Sequence, residues 1–586
     1  MIILGINAYH PDSSACLLID GKIKIAIEEE RLSRIKHWSG FPKLAIKECL
    51  RSQNILPNEI DVISINHNFY SNLFNKIKFV LSNKPRLSFY FNRLNSHLKK
   101  KNLLDIFKEE IGNLNKNCKL FEVDHHKSHV ASAYYDSPFD DCVNLSIDGF
   151  GDFASLTWGI SKNNNIIIDK KILFPHSLGI FYEAFTQLLG FKNFGDEYKV
   201  MGLSSYGKPS EISKIKKLIN IKKNGEFSLN LDYFNHHRKS TSYSWNNSSP
   251  KSPTLFNDRI YNIFDQKELN NNISDYHKNI AASVQNVYEE VYFHILDHIH
   301  KKYQIENLTV SGGCAQNSLA NGKIISNSNF KNIFIPSNPG DGGGAIGSAY
   351  VAYKNFYNEK IKKTNAYLGK EYSELEINKE IINYQENIKL KNCSSYFFKT
   401  QDEVLMFTAK QISLGKITGW FQGKMEWGPR ALGNRSILGD PRNKNIREII
   451  NLKIKRRENF RPFAPSILLE YADDWFENFY DEEPFMSRVL KFKEQKKSLV
   501  PSVVHLDGTG RLQTVNKNDN LLFHKLINCF KSLTGIPLVL NTSFNENEPI
   551  VDKPKHAIDC FLRTNMDLLV MGNHIIYRND QIKINE

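Results

Sequence analysis

The chain has no CxxC pair, and its eight cysteines stand far apart at Cys16, Cys49, Cys118, Cys142, Cys314, Cys393, Cys529 and Cys560. That spacing excludes a thiolate zinc knuckle and a disulfide framework, and fits small buried thiols in a reducing compartment. There is no apolar run near the roughly 20 residues that cross a bilayer. The opening stretch MIILGINAYHPDSS lacks the basic start and apolar segment of a secretory leader and reads as a strand and loop. A cytoplasmic location is the expectation. No HExxH occurs, so a zincin is excluded, and no GxxxxGK[ST], so a P-loop is excluded.

What is present points to an α/β protein of two or three domains, since 586 residues exceed one hydrophobic core. The net charge is +14, which admits an anionic substrate or a nucleic acid. The excess is local: between Arg442 and Arg461 there are eight Lys/Arg and two Glu.

The chain also resembles itself. IILGINAYHPDSSACLLIDGKIKIAI (2–27) and VNLSIDGFGDFASLTWGISKNNNIII (143–168) both run strand, polar Gly loop, strand, turn, strand. Two such units are similar to the duplicated core of the actin, sugar-kinase and Hsp70 superfold (the ASKHA fold), whose two loops face one cleft. PKLAIKECLRSQ (42–53) and residues 277–303 carry helical apolar spacing. The strand-and-glycine segments NLTVSGGCAQNSLANGKI (307–324) and NIFIPSNPGDGGGAIGSAYVAY (332–353) let backbone amides approach a ligand. Polar composition places a linker at 366–395, between domains at 1–365 and 396–586. Insertions are expected near 70–117 and 210–275. Residues 83–110 allow an amphipathic helix for a membrane surface, and a solvated helical insertion is the preferred reading.

Three histidines crowd DHHKSH (124–129). His125 and His129, four apart, share one helix face and can grip one ion, while His126 points about 100° away. Asp148 and Asp341, each in a Gly loop after a strand, open on the same cleft in the inferred superfold. Two His and two Asp suit iron(II), manganese or zinc as a Lewis acid, and ligand type does not choose among them. The bland alternative is that both aspartates only form turns. In the second domain, Arg430, Arg435, Lys455, Arg457 and Arg461 sit among Gly, Pro and Phe. Forked guanidiniums and a point-charge lysine suit ATP or another phosphate ester. LVLNTSFNENEPI (538–550) offers hydroxyl and amide contacts.

The ordered motifs LGINAYHPDSSACLL, IEEERLSRIKH, DHHKSHVASAYY, LSIDGFGD, DEYKVMGLSSYG, SGGCAQNSLAN, GDGGGAIGSA, MEWGPRALGNRSIL, KIKRRENFRPFAPSIL, HLDGTGRLQTV and LNTSFNENEPIV resemble the NodU/CmcH family of O-carbamoyltransferases over nearly the whole chain. The resemblance implies a YrdC-like C-terminal domain that makes carbamoyl-adenylate from ATP and carbamoyl phosphate, with Mg. It implies an N-terminal domain similar to the tRNA threonylcarbamoyl-transfer protein, which passes the carbamoyl group to a hydroxyl of a small-molecule or sugar acceptor. The implied metal, typically Fe(II), maps to His125, His129, Asp148 and Asp341. The adenylate maps to Gly312, Gly313, Asn317, Gly342, Gly343 and Gly344. Adenylation maps to Arg430, Arg435, Lys455, Arg457, Arg461 and the Asn541, Thr542, Ser543 loop. His10 and His126 are candidate bases or substrate contacts, with a structural role the alternative for each. Asp152 stands where relatives often carry Glu, keeping the charge but shortening the reach. Asp196 and Tyr198 depart from the family's glycines and Glu. A labile adenylate calls for enclosed transfer. Two other readings stand beside this one: threonylcarbamoyl transfer to tRNA, disfavoured because no RNA-binding module is visible, and a non-catalytic ATP-binding scaffold. No membrane partner is expected, and a homodimer is allowed.

Overall fold

A computed structural model of the chain describes residues 1–83, 103–238, 248–264, 273–357 and 359–583. The chain divides into two units, Met1–Thr364 and Asn365–Glu586. None of the helices among the described residues is long and apolar enough to cross a membrane.

The first unit contains two five-stranded sheets. One is built from β1 (Ile2–Asn7), β2 (Ser14–Ile19), β3 (Lys22–Glu28), β4 (Val62–Ile65) and β5 (Lys119–Glu122). The other uses β6 (Cys142–Gly151), β7 (Ala154–Lys162), β8 (Asn165–Leu173), β9 (Asn307–Ser311) and β10 (Asn332–Phe334). Their orders are β5-β4-β1-β2-β3 and β10-β9-β6-β7-β8. In each, an antiparallel meander is extended on its first strand by two parallel strands. The sequence repeat is therefore a repeat of topology. The central strands β1 and β6 are buried along nearly their whole length because both sheet faces are covered.

Helices α1 (Lys43–Ser52), α2 (Leu73–Asn83), α3 (His125–Tyr134), α4 (Leu178–Leu188), α5 (Glu197–Ser204), α6 (Asp275–Tyr303) and α7 (Gly344–Tyr357) flank these sheets. The buried Glu29 carboxylate takes the amides of Leu44 and Ala45 at the start of α1, the negative charge a helix N-terminus favours. The first core joins Leu4, Ile6, Leu17 and Ile25 of the sheet to Ala45, Ile46 and Phe107. Of the insertion expected at 70–117, residues 84–102 lie outside the described set, and Leu103–Glu110 is a helix that buries Leu103 and Phe107. Within 210–275, residues 239–247 and 265–272 lie outside it, and Ile219–Ile221 pairs with Phe227–Leu229 as a short hairpin.

The second unit carries an eight-stranded mixed sheet. Its strands are β11 (Cys393–Phe397), β12 (Thr418–Phe421), β13 (Arg435–Gly439), β14 (Ala464–Leu468), β15 (Gln513–Val515), β16 (Leu538–Ser543), β17 (Leu568–Met571) and β18 (His574–Arg578). They lie in the order β11-β18-β17-β12-β13-β16-β14-β15. Helices α8 (Glu374–Asn383), α9 (Gln401–Ser413), α10 (Leu521–Thr534) and α11 (Pro554–Arg563) cover it. The expected linker at 366–395 is corrected here, because it folds into this unit. Ser373 and Glu376 form a capping box that starts α8, and Cys393 opens the edge strand β11, paired with β18. Ile377, Ile381, Ile388 and Cys393 enter the core. So few apolar residues suffice for a one-sided surface layer, and the exposed remainder gives the stretch its linker-like composition.

Candidate active site

Asp124 caps α3 by accepting the Lys127 amide at 3.1 Å. His125 and His129 follow on one face, fully buried, with their Nε2 atoms 3.0 Å apart. Asp148 sits in β6, and its two oxygens are divided in use. Oδ1 accepts the amides of Gly149 (2.8 Å) and Gly313 (3.2 Å). Oδ2 lies 3.0 Å from both imidazole Nε2 atoms. Asp341, in the turn before α7, brings Oδ1 to 3.4 Å from His125 and 3.5 Å from His129. One ligand-type atom from each of the four residues lies within 4.8 Å of all the others. Burial opposes charge on Asp148, but the imidazoles of His125 and His129 hold its carboxyl well below the usual carboxylate range. Burial likewise pulls down the His129 imidazole, yet Asp148 and Asp341 push it up to about 9. Two imidazole nitrogens converge on two carboxylates in a dry setting, and the Asp341 Oδ1 atom there has no hydrogen-bond partner. This donor set fits a divalent cation of the iron, manganese or zinc class.

Around this centre the chain packs closely. A Cβ on Gly151 would lie 2.0 Å from the His125 ring, and one on Gly312, at φ +86°, would lie 2.2 Å from the Ile147 carbonyl. Gly343 and Gly344 are similarly pressed against Asn338 and Asn66. These glycines thus have a packing reason as well as any role toward a ligand. Asn317 caps the short helix Ser318–Gly322 and pairs with Gln285.

His10 Nδ1 is 3.7 Å from Asp341 Oδ2, and its ring centroid is 5.1 Å from that of His125. It stands beside the four donors. His126 does not reach solvent: it is fully buried, with Nδ1 2.9 Å from Ser146 Oγ. Burial, with His125 and His129 adding repulsion, pulls it down to about 4. The expectation of a catalytic His126 is therefore corrected, since a neutral imidazole sealed against β6 cannot touch a substrate.

Two residues that sequence reasoning left unassigned stand behind the site. Asp152 and Phe153 close the β6–β7 hairpin, both in the left-handed region at φ +48° and +71°, a conformation that costs non-glycine residues energy. The turn aims the buried Asp152 carboxylate at the amides of His125 (2.9 Å) and Asn68 (2.8 Å), and places it 2.5 Å from His67 Nδ1. A second cluster, Asp12, Glu30 and His37, also brings ligand-type atoms within 4.8 Å. It is knit as an ion-paired network: His37 Nδ1 meets Asp12 at 2.8 Å, the His37 amide donates to Glu30 at 2.8 Å, and Arg31 pairs with Glu30.

In the second unit Lys455 is buried and donates from Nζ to Asn545 Oδ1 (2.6 Å), to Ser543 Oγ (3.2 Å) and to the Ser543 carbonyl. The structure thus joins Lys455 to Ser543, and shows Asn541–Ser543 to be the end of strand β16 rather than a loop. The Asn541 amide is turned into the sheet, donating to Ala431 O, Ser466 Oγ and Gln513 Oε1, while Thr542 and Ser543 are half-buried. Arg457 donates to Asn451 Oδ1 at 2.7 Å and lies over the Phe463 ring, and Arg461 pairs with Glu458 at 2.9 Å.

Arg435 is a correction. It is fully buried, stacked 3.6 Å from the Phe421 ring centroid, and its guanidinium donates to the carbonyls of Gln422, Asn434, Lys370 and Gly423. A guanidinium so enclosed has no face left for phosphate. A further arginine, Arg511, lies in HLDGTGRLQTV, a stretch that sequence reasoning quoted without choosing a residue. Burial, with the nearby charges of Arg430 and Arg457, holds the Arg511 guanidinium well below its ordinary value. His505 is pulled down to about 4 by burial, with Arg511 and Arg447 adding to the effect. Arg430 and Arg457 thus repel the Arg511 charge, and positive charge gathered in this way suits a polyanion.

Comparison with known proteins follows this geometry. A family model described as "Carbamoyltransferase N-terminus" matches residues 2–350, and one described as "Carbamoyltransferase C-terminus" matches 409–578. The protein sll1178 of Synechocystis is 35% identical over 99% of this chain and 97% of its own. Nodulation protein NolNO of Sinorhizobium fredii is 34% identical over 97% of this chain and 79% of its own. The 3'-hydroxymethylcephem-O-carbamoyltransferase of Streptomyces clavuligerus is 30% identical over 41% of this chain and 42% of its own.

Proposed function

The chain belongs to the NodU/CmcH family of carbamoyltransferases, and from that premise we propose that it is an ATP-dependent O-carbamoyltransferase working in two steps. The first unit is read as an ASKHA-type transfer domain and the second as a YrdC-like adenylate-forming domain. The observation that carries the reading is the pairing of two dissimilar sites in one chain: four ligand-type donors in the first unit and a guanidinium cluster in the second.

In the second unit, ATP and carbamoyl phosphate would yield carbamoyl-adenylate, with water consumed and pyrophosphate and inorganic phosphate released. Arg430, Arg457 and Arg511 would neutralise the phosphates. Lys455, pre-set by Ser543 and Asn545, adds a point charge held in place before substrate arrives. Mg would accompany the ATP.

In the first unit, the carbamoyl carbon would be attacked by an acceptor hydroxyl and adenosine monophosphate would leave. A divalent ion, Fe(II) by family resemblance, would be held by His125, His129, Asp148 and Asp341 and would supply Lewis acidity at that carbon's oxygen or at the acceptor oxygen. His10, whose Nδ1 is 3.7 Å from Asp341 Oδ2, would take the hydroxyl proton. The glycine loops at Gly312–Gly313 and Gly342–Gly344 would present amides to the donor. The acceptor is read as a hydroxylated small molecule or sugar, in keeping with the hydroxymethyl cephem named for the Streptomyces relative.

The test mixes metal-loaded protein with ATP and carbamoyl phosphate without acceptor, and follows pyrophosphate. Carbamoyl-phosphate-dependent release that is lost in Lys455→Ala supports the first step. In His129→Ala, this acceptor-free pyrophosphate release should persist, because the four-donor site would serve only the second step. Absence of carbamoyl-phosphate-dependent turnover in the loaded wild type overturns the proposal.

A further inference from the structure

The turn 505–509 of the second unit holds a side-chain relay to which the two-step reading gives no part. The His505 amide donates to the Thr509 carbonyl at 2.7 Å, and Gly508, at φ +77°, lets the chain reverse between them. This reversal sets His505 Nδ1 3.1 Å from Thr509 Oγ1. That hydroxyl in turn lies 2.6 Å from Asp507 Oδ1.

A hydroxyl has one proton to give. The carboxylate takes it, since a short contact to a charged acceptor is the stronger of the two. Thr509 Oγ1 therefore accepts from His505, and Nδ1 is the nitrogen that carries the imidazole proton. Nε2 keeps its lone pair. That atom is buried and has no hydrogen-bond partner among the described residues. His505 as a whole is half-buried, unlike the sealed His126. A buried polar atom left unpaired calls for a reason, and chemistry is one.

Its neighbours say which chemistry. Thr509 and Arg511 stand two apart on the short strand Thr509–Arg511, which pairs with Val489–Lys491, so their side chains leave the same face. The buried Arg511 Nε also lacks a hydrogen-bond partner among the described residues. A neutral base and a cation thus share one side of the strand. Burial pulls the imidazole down, Asp507 opposes the fall, and Arg511 and Arg447 add to it. A polyanion bound at the guanidiniums offsets that last effect, so the base gains strength when substrate is present.

We propose that His505 is the general base for the water consumed at the adenylation site. The inference rests on the two-step reading above. The water oxygen bonds to the carbamoyl carbon of carbamoyl phosphate, and one of its protons passes to Nε2. The bond from that carbon to the bridging oxygen breaks, and phosphate leaves with the electron pair and receives the proton from Nε2. The second water proton is lost to solvent as carbamic acid ionises. The resulting carbamate attacks the α-phosphorus of ATP, and pyrophosphate departs.

The test gives the full, metal-loaded chain ATP, Mg and one of two carbamoyl sources. One is carbamoyl phosphate, and the other is ammonium carbamate, which enters after the water step. His505→Asn keeps an amide N–H near the place of Nδ1–H and has no group in the place of Nε2. With carbamoyl phosphate, its kcat for pyrophosphate release should fall at least about a hundredfold, with KM within about threefold of wild type. With carbamate, its pyrophosphate release should match wild type, which a distorted site would not allow. Equal kcat in His505→Asn and wild type with carbamoyl phosphate overturns the proposal and leaves the two-step reading standing. So does a loss that carbamate does not relieve, or failure of wild type to use carbamate. A raised KM with unchanged kcat makes His505 a phosphate contact and also overturns it. Absence of carbamoyl-phosphate-dependent turnover in wild type overturns this proposal and the two-step reading together.

Discussion

The carboxylate of Asp152 lies 2.5 Å from His67 Nδ1 and, through its other oxygen, accepts the amide of His125 at 2.9 Å. One buried side chain thus joins the loop after β4 to the first turn of the helix that carries both imidazole donors. Burial works against its charge, but His67 and His125 hold its carboxyl well below the usual range. Asp152 is a positioning residue: it fixes where α3 begins, and so where His125 and His129 stand.

Asp152→Asn should therefore weaken divalent-ion binding by about ten- to a hundredfold, the usual cost of losing a supporting contact behind a ligand. Titration calorimetry with manganese checks this without reference to catalysis. His67→Phe, which leaves the amide contacts of Asp152 intact, should cost less. Equal metal affinity in Asp152→Asn and wild type overturns the positioning role.

Arg435 and Arg511 should respond in opposite ways to removal. Arg435→Met leaves four carbonyls, two of them in buried contacts, without their donor, so stability should fall by about 2–5 kcal/mol, with adenylation declining in proportion to folded protein. Arg511→Met removes a cation that burial, Arg430 and Arg457 all disfavour, so the thermal midpoint of ligand-free protein should hold or rise. Its carbamoyl-phosphate-dependent pyrophosphate release should drop by at least about a hundredfold, a loss of roughly 2.7 kcal/mol of transition-state stabilisation. Thermal melts and single-turnover assays separate the two.

The contrast shows where the sequence was legible. The duplicated strand units were visible because a meander leaves an alternating, turn-punctuated trace, and the topology of both sheets repeats it. The grouping of His125, His129, Asp148 and Asp341 was legible because each stands at a helix face or strand-end loop of the repeated units. Arg435 and Arg511 could not be told apart, since composition does not say whether a guanidinium ends on carbonyls and a ring or beside other cations. His126 failed for the same reason: a helical wheel gives its direction, but not that β6 and Ser146 seal that side. The linker was misread because α8 buries only one narrow stripe. Asp152 signalled itself only as a short acid after DGFG, and its partner His67 lies 85 positions upstream in a loop with no pattern of its own.

A pH dependence of stability should arise at Asp136. Burial raises its carboxyl from the ordinary value to about 6, although Tyr350 OH and the Thr364 amide donate to Oδ1 at 2.8 and 3.2 Å. The folded state therefore binds the proton more tightly than the unfolded chain. The resulting stabilisation is fully present below about pH 3.8 and is lost as pH rises through 6. The shift corresponds to at most about 2–3 kcal/mol, and less because the side chain is only partly enclosed. In Asp136→Asn this contribution to the fall in stability between pH 4 and 7 should disappear, as read from urea midpoints at several pH values. An unchanged pH profile in the variant overturns the assignment.

The last test concerns the helix pair that carries the site. α3 and α7 approach so closely at Gly347 that a Cβ there would lie 1.8 Å from the Ser128 carbonyl, one residue before His129. Backbone cannot yield as a flexible side chain does, so Gly347→Ala must push the helices apart. Overpacking of this kind costs about 1–3 kcal/mol. The displacement should also be felt at the donors, because Asp341 precedes α7 while His125 and His129 ride on α3. We expect a lower thermal midpoint together with manganese affinity reduced by about tenfold or more. Gly535→Ala offers the comparison: this glycine caps α10 at φ +76° with nothing within 4 Å of a new Cβ. It should lower stability through backbone strain alone and leave metal affinity as in wild type. If both variants lose stability and neither loses metal affinity, the coupling between helix spacing and the donor set is wrong.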